Sequence, residues 1–164
     1  MTRSPETPPD VRHERIVIDR PYDATPAQVF AAWASPEAKR RWFANDEEWE
    51  NLEYRLDFRV GGQEFDRSRP RNGGTLHQYD GRIEDIVPDA RIVIAYTMSL
   101  DGQRISSSLL TLEFQPRTNG TRLLFTEQIA ILDGADSATS RESGWRSVLD
   151  KLEAALRHDR GSTA

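Results

Sequence analysis

The sequence predicts an α+β domain in which one curved antiparallel sheet of about seven strands grips a single long C-terminal helix. Three observations predict it. Residues 140–157 place Trp145, Val148, Leu149, Leu152 and Leu156 on one helical stripe, with Arg146, Asp150, Lys151, Glu153 and Arg157 off it. Residues 46–131 read as sequential strands joined by short turns. Two short helical segments interrupt this pattern after the first strand. A sheet that is apolar on one face needs a cover, and only the last helix, roughly 27 Å long at 1.5 Å per residue, spans it.

In chain order, residues 1–12 carry Pro5, Pro8 and Pro9 among charges and read as a flexible tail. A single domain is expected over 13–158, and 159–164 as a short C-terminal tail. The β-branched run Arg15-Ile16-Val17-Ile18-Asp19 forms a first strand of about eight residues closed by Pro21. Thr25-Pro26 is a helix entry, a capping hydroxyl before a proline, and Val29, Phe30 and Trp33 give the stripe. Ser35-Pro36-Glu37 starts a second short helix that runs to Trp42-Phe43. From Trp49, Leu52, Tyr54, Leu56, Phe58 and Val60 alternate with charges as a half-buried strand, and Gly61-Gly62 serves as a two-residue reversal. Strands follow over 63–69, 75–86, 91–100, 105–114 and 121–131, punctuated by Arg71-Asn72-Gly73-Gly74, Val87-Pro88-Asp89, Asp101-Gly102 and Thr118-Asn119-Gly120. On the last helix, Arg146/Asp150 and Glu153/Arg157 stand at the four-residue spacing of ion pairs.

Composition narrows the classes of function. The 164 residues suit one domain with a real core. A balance of 22 Lys+Arg against 27 Asp+Glu, net −5, argues against a general nucleic-acid binder. The longest basic run, Lys39-Arg40-Arg41, reads as a solvated helix face. With no cysteine, disulfides, thiolate nucleophiles and Cys-based metal sites are excluded. No stretch has the pattern of a signal peptide or the length of a membrane span, so a soluble cytoplasmic protein is expected. His13, His77 and His158 lie far apart in sequence, and no metal site is expected. There is no Gly-x-Ser-x-Gly elbow, phosphate loop or dinucleotide fingerprint, so no cofactor is expected, and any enzyme here works by acid/base chemistry on a bound molecule.

Several pieces fall into a known order: Thr25-Pro26-Ala27-Gln28-Val29-Phe30-Ala31-Ala32-Trp33, Ser35-Pro36-Glu37, Trp42-Phe43, Val60-Gly61-Gly62-Gln63-Glu64-Phe65, residues 81–88, residues 120–123, and Gly144-Trp145 with Leu149 and Leu152. Together, over roughly residues 13–157, they resemble the activator of Hsp90 ATPase homologue-like group of the START/Bet v 1 (SRPBCC) superfamily. The resemblance implies the helix-grip fold (Bet v 1-like, TBP-like) and a hydrophobic cavity between sheet and helix. It also implies three kinds of function: binding a lipid, polyketide or other small hydrophobic molecule, acid/base catalysis of the cyclase or hydrolase kind, or a chaperone contact. Fold alone does not choose among them. Edge strands leave a homodimer open.

Strand parity proposes the site residues. Leu123, Phe125, Glu127 and Ile129 share a face, so an inward Phe125 carries Glu127 inward as a buried acid/base or anchoring carboxyl, unless the strand end is solvated or an arginine pairs it. His77 shares its face with Tyr79, Gly81 and Ile83 and is the second acid/base candidate, against a structural or solvated histidine. Arg67 is placed inward beside Phe65 as a candidate carboxylate binder, with an exposed edge arginine as the alternative. Trp33, Trp42, Phe43, Tyr54, Phe65, Tyr79, Tyr96, Phe125 and Trp145, with Leu149, are expected to wall the cavity, or to be plain core.

Overall fold

The computed structural model describes residues 7–44 and 47–162. Seven strands and three α-helices follow in the expected order: β1 Val11–Tyr22, α1 Pro26–Ala34, α2 Pro36–Lys39 with a π-helical turn Arg40–Ala44, β2 Trp49–Leu56, β3 Gln63–Pro70, β4 His77–Val87, β5 Arg91–Leu100, β6 Gln103–Arg117, β7 Gly120–Leu132 and α3 Ala138–Ser162. The strands form one antiparallel sheet in the order β1-β7-β6-β5-β4-β3-β2, a meander whose last strand is closed by the first. The sheet and α3 hold the core between them. Ile16, Ile18, Ile92, Ile94, Leu110, Leu112, Leu123 and Phe125 meet Leu149 and Leu152 there, each fully buried side chain contributing about 1.5–3 kcal/mol.

Local chemistry explains the helix starts. Thr25 caps α1 through its hydroxyl while Gln28 reaches back to the Thr25 N–H, a reciprocal capping box, and Pro26 begins the first turn. Ser35 ends α1 and caps α2. The far end of α3 is tied to β1: Arg20 lies 2.6 Å from Asp150 and 2.9 Å from Glu153, and the Tyr22 hydroxyl donates to the Leu149 carbonyl at 3.2 Å.

The structure corrects several sequence expectations. Residues 11 and 12, assigned to the tail, are the start of β1, because Asp10 and Asp133 exchange hydrogen bonds that extend the β1–β7 ladder. Residues 159–162 continue α3, which is 25 residues long and so roughly 37 Å. Residues 1–6 and 163–164 of the expected tails lie outside the described residues. Pro21 sits inside β1 instead of closing it, which an edge strand permits. β2 stops at Leu56, and a bulge after Asn51 leaves Leu52 exposed. The reversal into β3 is a loop over 57–62, not a two-residue turn. Asp57 and Arg59 carbonyls accept inside it, and a Cβ on Gly62 would stand 2.0 Å from the Asp57 carbonyl oxygen. Arg146 pairs with Glu142, not Asp150, whose carboxylate goes to Arg20.

Candidate functional site

The curvature of the sheet leaves a cavity of about 530 Å³ between its concave face and one flank of α3. Phe43, Trp49, Tyr79, Tyr96, Met98, Leu100, Ile105, Trp145 and Val148 give it an apolar wall. Asp66, Ser68, His77 and Arg141 interrupt that wall with polar groups. On the helix side stands Gly144, where an added Cβ would have nothing within 4 Å.

One end is built over Glu127. Alternation along β7 buries Leu123, Phe125, Glu127 and Ile129 together, so the carboxylate is carried into the core. The Tyr96 hydroxyl makes a short hydrogen bond to Glu127 Oε1, which also accepts from Trp145 Nε1 at 3.2 Å. Arg141 donates to Tyr96 Oη at 3.0 Å and Ser106 Oγ at 2.7 Å, while its Nε reaches Asp136 at 3.0 Å. Its Nη1 stands 3.6 Å from Glu127 Oε2, an oxygen without a hydrogen-bond partner among the described residues. Burial pushes the Glu127 pKa above the usual carboxylate range, and the Arg141 charge and the two hydrogen bonds pull against it.

A second buried network lies under β2–β4. Lys39 and Glu64 are 2% and 1% exposed, and the ammonium sits 2.6 Å from Glu64 Oε2 and 2.8 Å from Oε1. The Tyr54 and Tyr79 hydroxyls donate to the same carboxylate at 2.7 and 3.1 Å. Lys39 also stands 4.8 Å from the centre of the Trp33 ring and 4.7 Å from that of Phe43. Burial depresses the Lys39 pKa, and Glu64 opposes the shift. The expectation of a solvated face over residues 39–41 therefore fails at Lys39, because a carboxylate and two rings receive it.

Asp66 and Ser68 follow Glu64 on the inward face of β3 and reach the cavity. Asp66 Oδ1 accepts from Asn51 Nδ2 at 2.5 Å and from the Ser68 hydroxyl at 3.0 Å. Burial first, with Glu64 adding, raises Asp66 from 3.8 to about 7; Ser68, Asn51 and Lys39 hold it down. A carboxyl raised by folding makes the folded state bind more protons than the unfolded chain. Its favourable share of stability is complete below the unfolded value and is lost as pH rises through about 7. Asp66→Asn is expected to remove roughly 4 kcal/mol of the stability lost between pH 4 and 8, measured by urea denaturation across that range. A variant with the wild-type pH slope would refute the assignment.

Of the residues proposed from sequence, Phe43, His77, Tyr79, Tyr96 and Trp145 stand on the cavity wall. His77 packs edge-to-face on Trp49 at 4.7 Å, and burial lowers its pKa. Trp33, Trp42, Phe125 and Leu149 are core behind the wall, with Trp42 donating to the Ala32 carbonyl and Phe125 packed 4.9 Å from Trp145. Tyr54 is spent on Glu64, and Glu127 lies beneath Tyr96 and Trp145. Phe65 and Arg67 are corrections. With Glu64, Asp66 and Ser68 inward, both turn to the outer face, where Phe65 lies between Arg55 at 4.9 Å and Arg67 at 5.5 Å. Sequence reading missed Lys39, Glu64, Asp66, Ser68 and Arg141. Arg141 alone carried a signal, standing one helical turn before Trp145 on the same stripe. Among the described residues no group of three His, Asp or Glu is placed to hold a metal ion, and no helix is long and apolar enough to cross a membrane.

Comparison with known proteins agrees with this architecture. A protein of Rhizobium leguminosarum is 45% identical over 93% of this chain and 99% of its own, with a TM-score of 0.88. One from Rhizobium loti is 42% identical over 89% of this chain and 99% of its own, with a TM-score of 0.82. The AHSA1-like protein of Aeromonas hydrophila, 18% identical over 89% of this chain and 94% of its own with a TM-score of 0.66, shares the fold. No curated protein matches. The family model described as activator of Hsp90 ATPase homolog 1-like protein matches residues 23–157, most of the chain and every element from α1 through the greater part of α3. The chain belongs to that family, and its curved sheet closed on one long helix is the helix-grip fold.

Proposed function

We propose that this protein binds a small, mainly apolar molecule in the cavity between the sheet and α3. One observation carries the reading: about 530 Å³ of space with a wall of aromatic and aliphatic side chains and polar groups set into it, in the size range of small-molecule sites. A filled core at the same place would support nothing beyond structure. The acid/base reading has less support, because Glu127 lies behind the wall and only His77 of that pair stands on it. A chaperone contact has support from the family description and none from the cavity.

Gly144 supplies the test. It lines the cavity, an added side chain there meets open space, and glycine inside a helix costs about 0.5–1 kcal/mol relative to alanine. Gly144→Leu is expected to fold with an unchanged or higher melting temperature while occupying ligand volume. Saturable quenching of tryptophan fluorescence by the neutral probe N-phenyl-1-naphthylamine is expected for the wild type and to weaken at least about tenfold in the variant. Equal binding by the two proteins places the probe elsewhere and sinks the proposal.

A further inference from the structure

Resting on that reading of the cavity, we propose that its ligand is basic: a small aromatic or aryl-alkyl amine whose ammonium group pairs with Asp66 at the β3 wall. The argument begins with unspent hydrogen-bonding capacity. Asp66 uses Oδ1 for Asn51 and Ser68, and its Oδ2 takes no hydrogen bond among the described residues. Among the described residues no cation forms an ion pair with it, although the Lys39 charge acts on it from beyond Glu64. Lys39 is held 2.6 Å from Glu64, in contact with that carboxylate instead. Every nitrogen of the Arg141 guanidinium is already directed at Asp136, Tyr96 or Ser106, and Lys151 at the mouth has an interaction of its own. A carboxyl facing an aromatic cavity without a counter-charge is poorly solvated, and a ligand cation would correct that.

The surroundings select for such a head. Aromatic rings attract cations, and Trp49, Tyr79 and Phe43 line the same cavity as Asp66, although Phe43 already receives Lys39 and Tyr79 is stacked on Tyr96. Opposite Asp66 on β4 stands Tyr79, and opposite Tyr54 on β2 stands Asp66, so the carboxyl is flanked by hydroxyl-bearing rings on both sides. A carboxylate ligand would instead meet Asp66 and Glu64 with no spare cation. The titratable and charged groups around Asp66 among the described residues are Glu64 on its own strand, Tyr54 on β2, His77 and Tyr79 on β4, Tyr96 on β5 and Lys39 beyond Glu64, with Asp136 before α3 and Arg141 and Lys151 on it lining the same cavity. Burial keeps the His77 imidazole towards its neutral form and the tyrosines protonated, so the positive charge near Asp66 comes from Lys39, Arg141 and Lys151, each engaged with another partner. In the empty protein Asp66 holds a proton up to about pH 7. Binding an ammonium then releases that proton, and affinity rises with pH through this range until the amine itself titrates.

Three probes that share one tail separate head from cavity: 4-phenylbutylamine, 4-phenylbutanol and 4-phenylbutyrate, titrated calorimetrically into the full chain at pH 8 and pH 5.5. The amine is expected to bind at least about tenfold tighter than the alcohol at pH 8, with the carboxylate weakest, and the preference to be lost at pH 5.5, where the ionised fraction of Asp66 has fallen about thirtyfold. Asp66→Asn, which keeps an acceptor for Asn51 and Ser68, is expected to erase the preference while the alcohol binds as before. Its melting temperature is recorded beside the titrations, and the wild-type order of heads is informative without it. An alcohol that matches the amine at pH 8, or a preference that survives in a folded Asp66→Asn, overturns this proposal and leaves the cavity reading standing. Failure of all three probes removes both.

Discussion

Lys39→Met is expected to destabilise the protein by about 3–5 kcal/mol, because it leaves Glu64 buried without its counter-charge. Two tyrosine hydroxyls remain on that carboxylate, but they donate hydrogen bonds and bring no charge. The double variant Lys39→Met, Glu64→Leu removes both charges and is expected to recover most of the loss, since a buried pair is worth little against apolar residues of similar volume. Urea denaturation of the wild type, both single variants and the double variant closes the cycle. Additive losses would mean that the two side chains do not interact as their 2.6 Å separation implies.

Trp145→Ala is expected to cost a further class of energy, about 3–5 kcal/mol from lost packing in the core, together with the capacity to bind. Its ring lies 4.9 Å from Phe125 and 6.2 Å from Phe43, and its Nε1 reaches Glu127 and Tyr96. It is therefore a core residue and a cavity wall at once. Trp145→Phe separates the two contributions. It keeps most of the ring contacts, removes the donor to Glu127 and is expected to lose about 1–3 kcal/mol. Denaturation reports the stability of both variants, and quenching by N-phenyl-1-naphthylamine, read from the remaining tryptophans, reports binding. If Trp145→Ala is destabilised yet binds the probe like the wild type, Trp145 is core alone and the cavity wall lies elsewhere.

The fold was legible because its signals are local. Thr25-Pro26 and Ser35-Pro36 name helix starts that need no tertiary help, and Asp101-Gly102 names a hairpin by its turn chemistry. Alternation along β7 sets Glu127 on the face of Leu123, Phe125 and Ile129, which the structure buries, with Arg141 3.6 Å away as the arginine that the sequence left as an alternative. The β3 segment offered no such row. In Gln63-Glu64-Phe65-Asp66 the one aromatic residue suggested an inward Phe65, yet the carboxylates face in and the ring faces out. Register decides this: Asp66 stands opposite Tyr79, and directly opposed residues share a face. That register depends on the length of the 71–76 connection and on the bulge after Asn51, neither of which alternation reveals. Lys39 was hidden for the same reason, because its partner is 25 positions away and becomes its neighbour only once β3 is placed.

The pairing of β1 with β7 has a kinetic meaning. Val11 meets Leu132 and Tyr22 meets Thr121, so the sheet closes only across a gap of about a hundred residues. The intervening meander assembles from hairpins between neighbours, whereas this last ladder demands the loop entropy of nearly the whole chain. Ile16 and Ile18 of β1 gain their cover only from β7 and α3, and Arg20 gains Asp150 and Glu153 only from α3, so during synthesis β1 is expected to wait for the end of the chain. Docking of the first strand is thus the late step, and the apolar face of a waiting β1 is where a nascent chain of this protein is most open to aggregation.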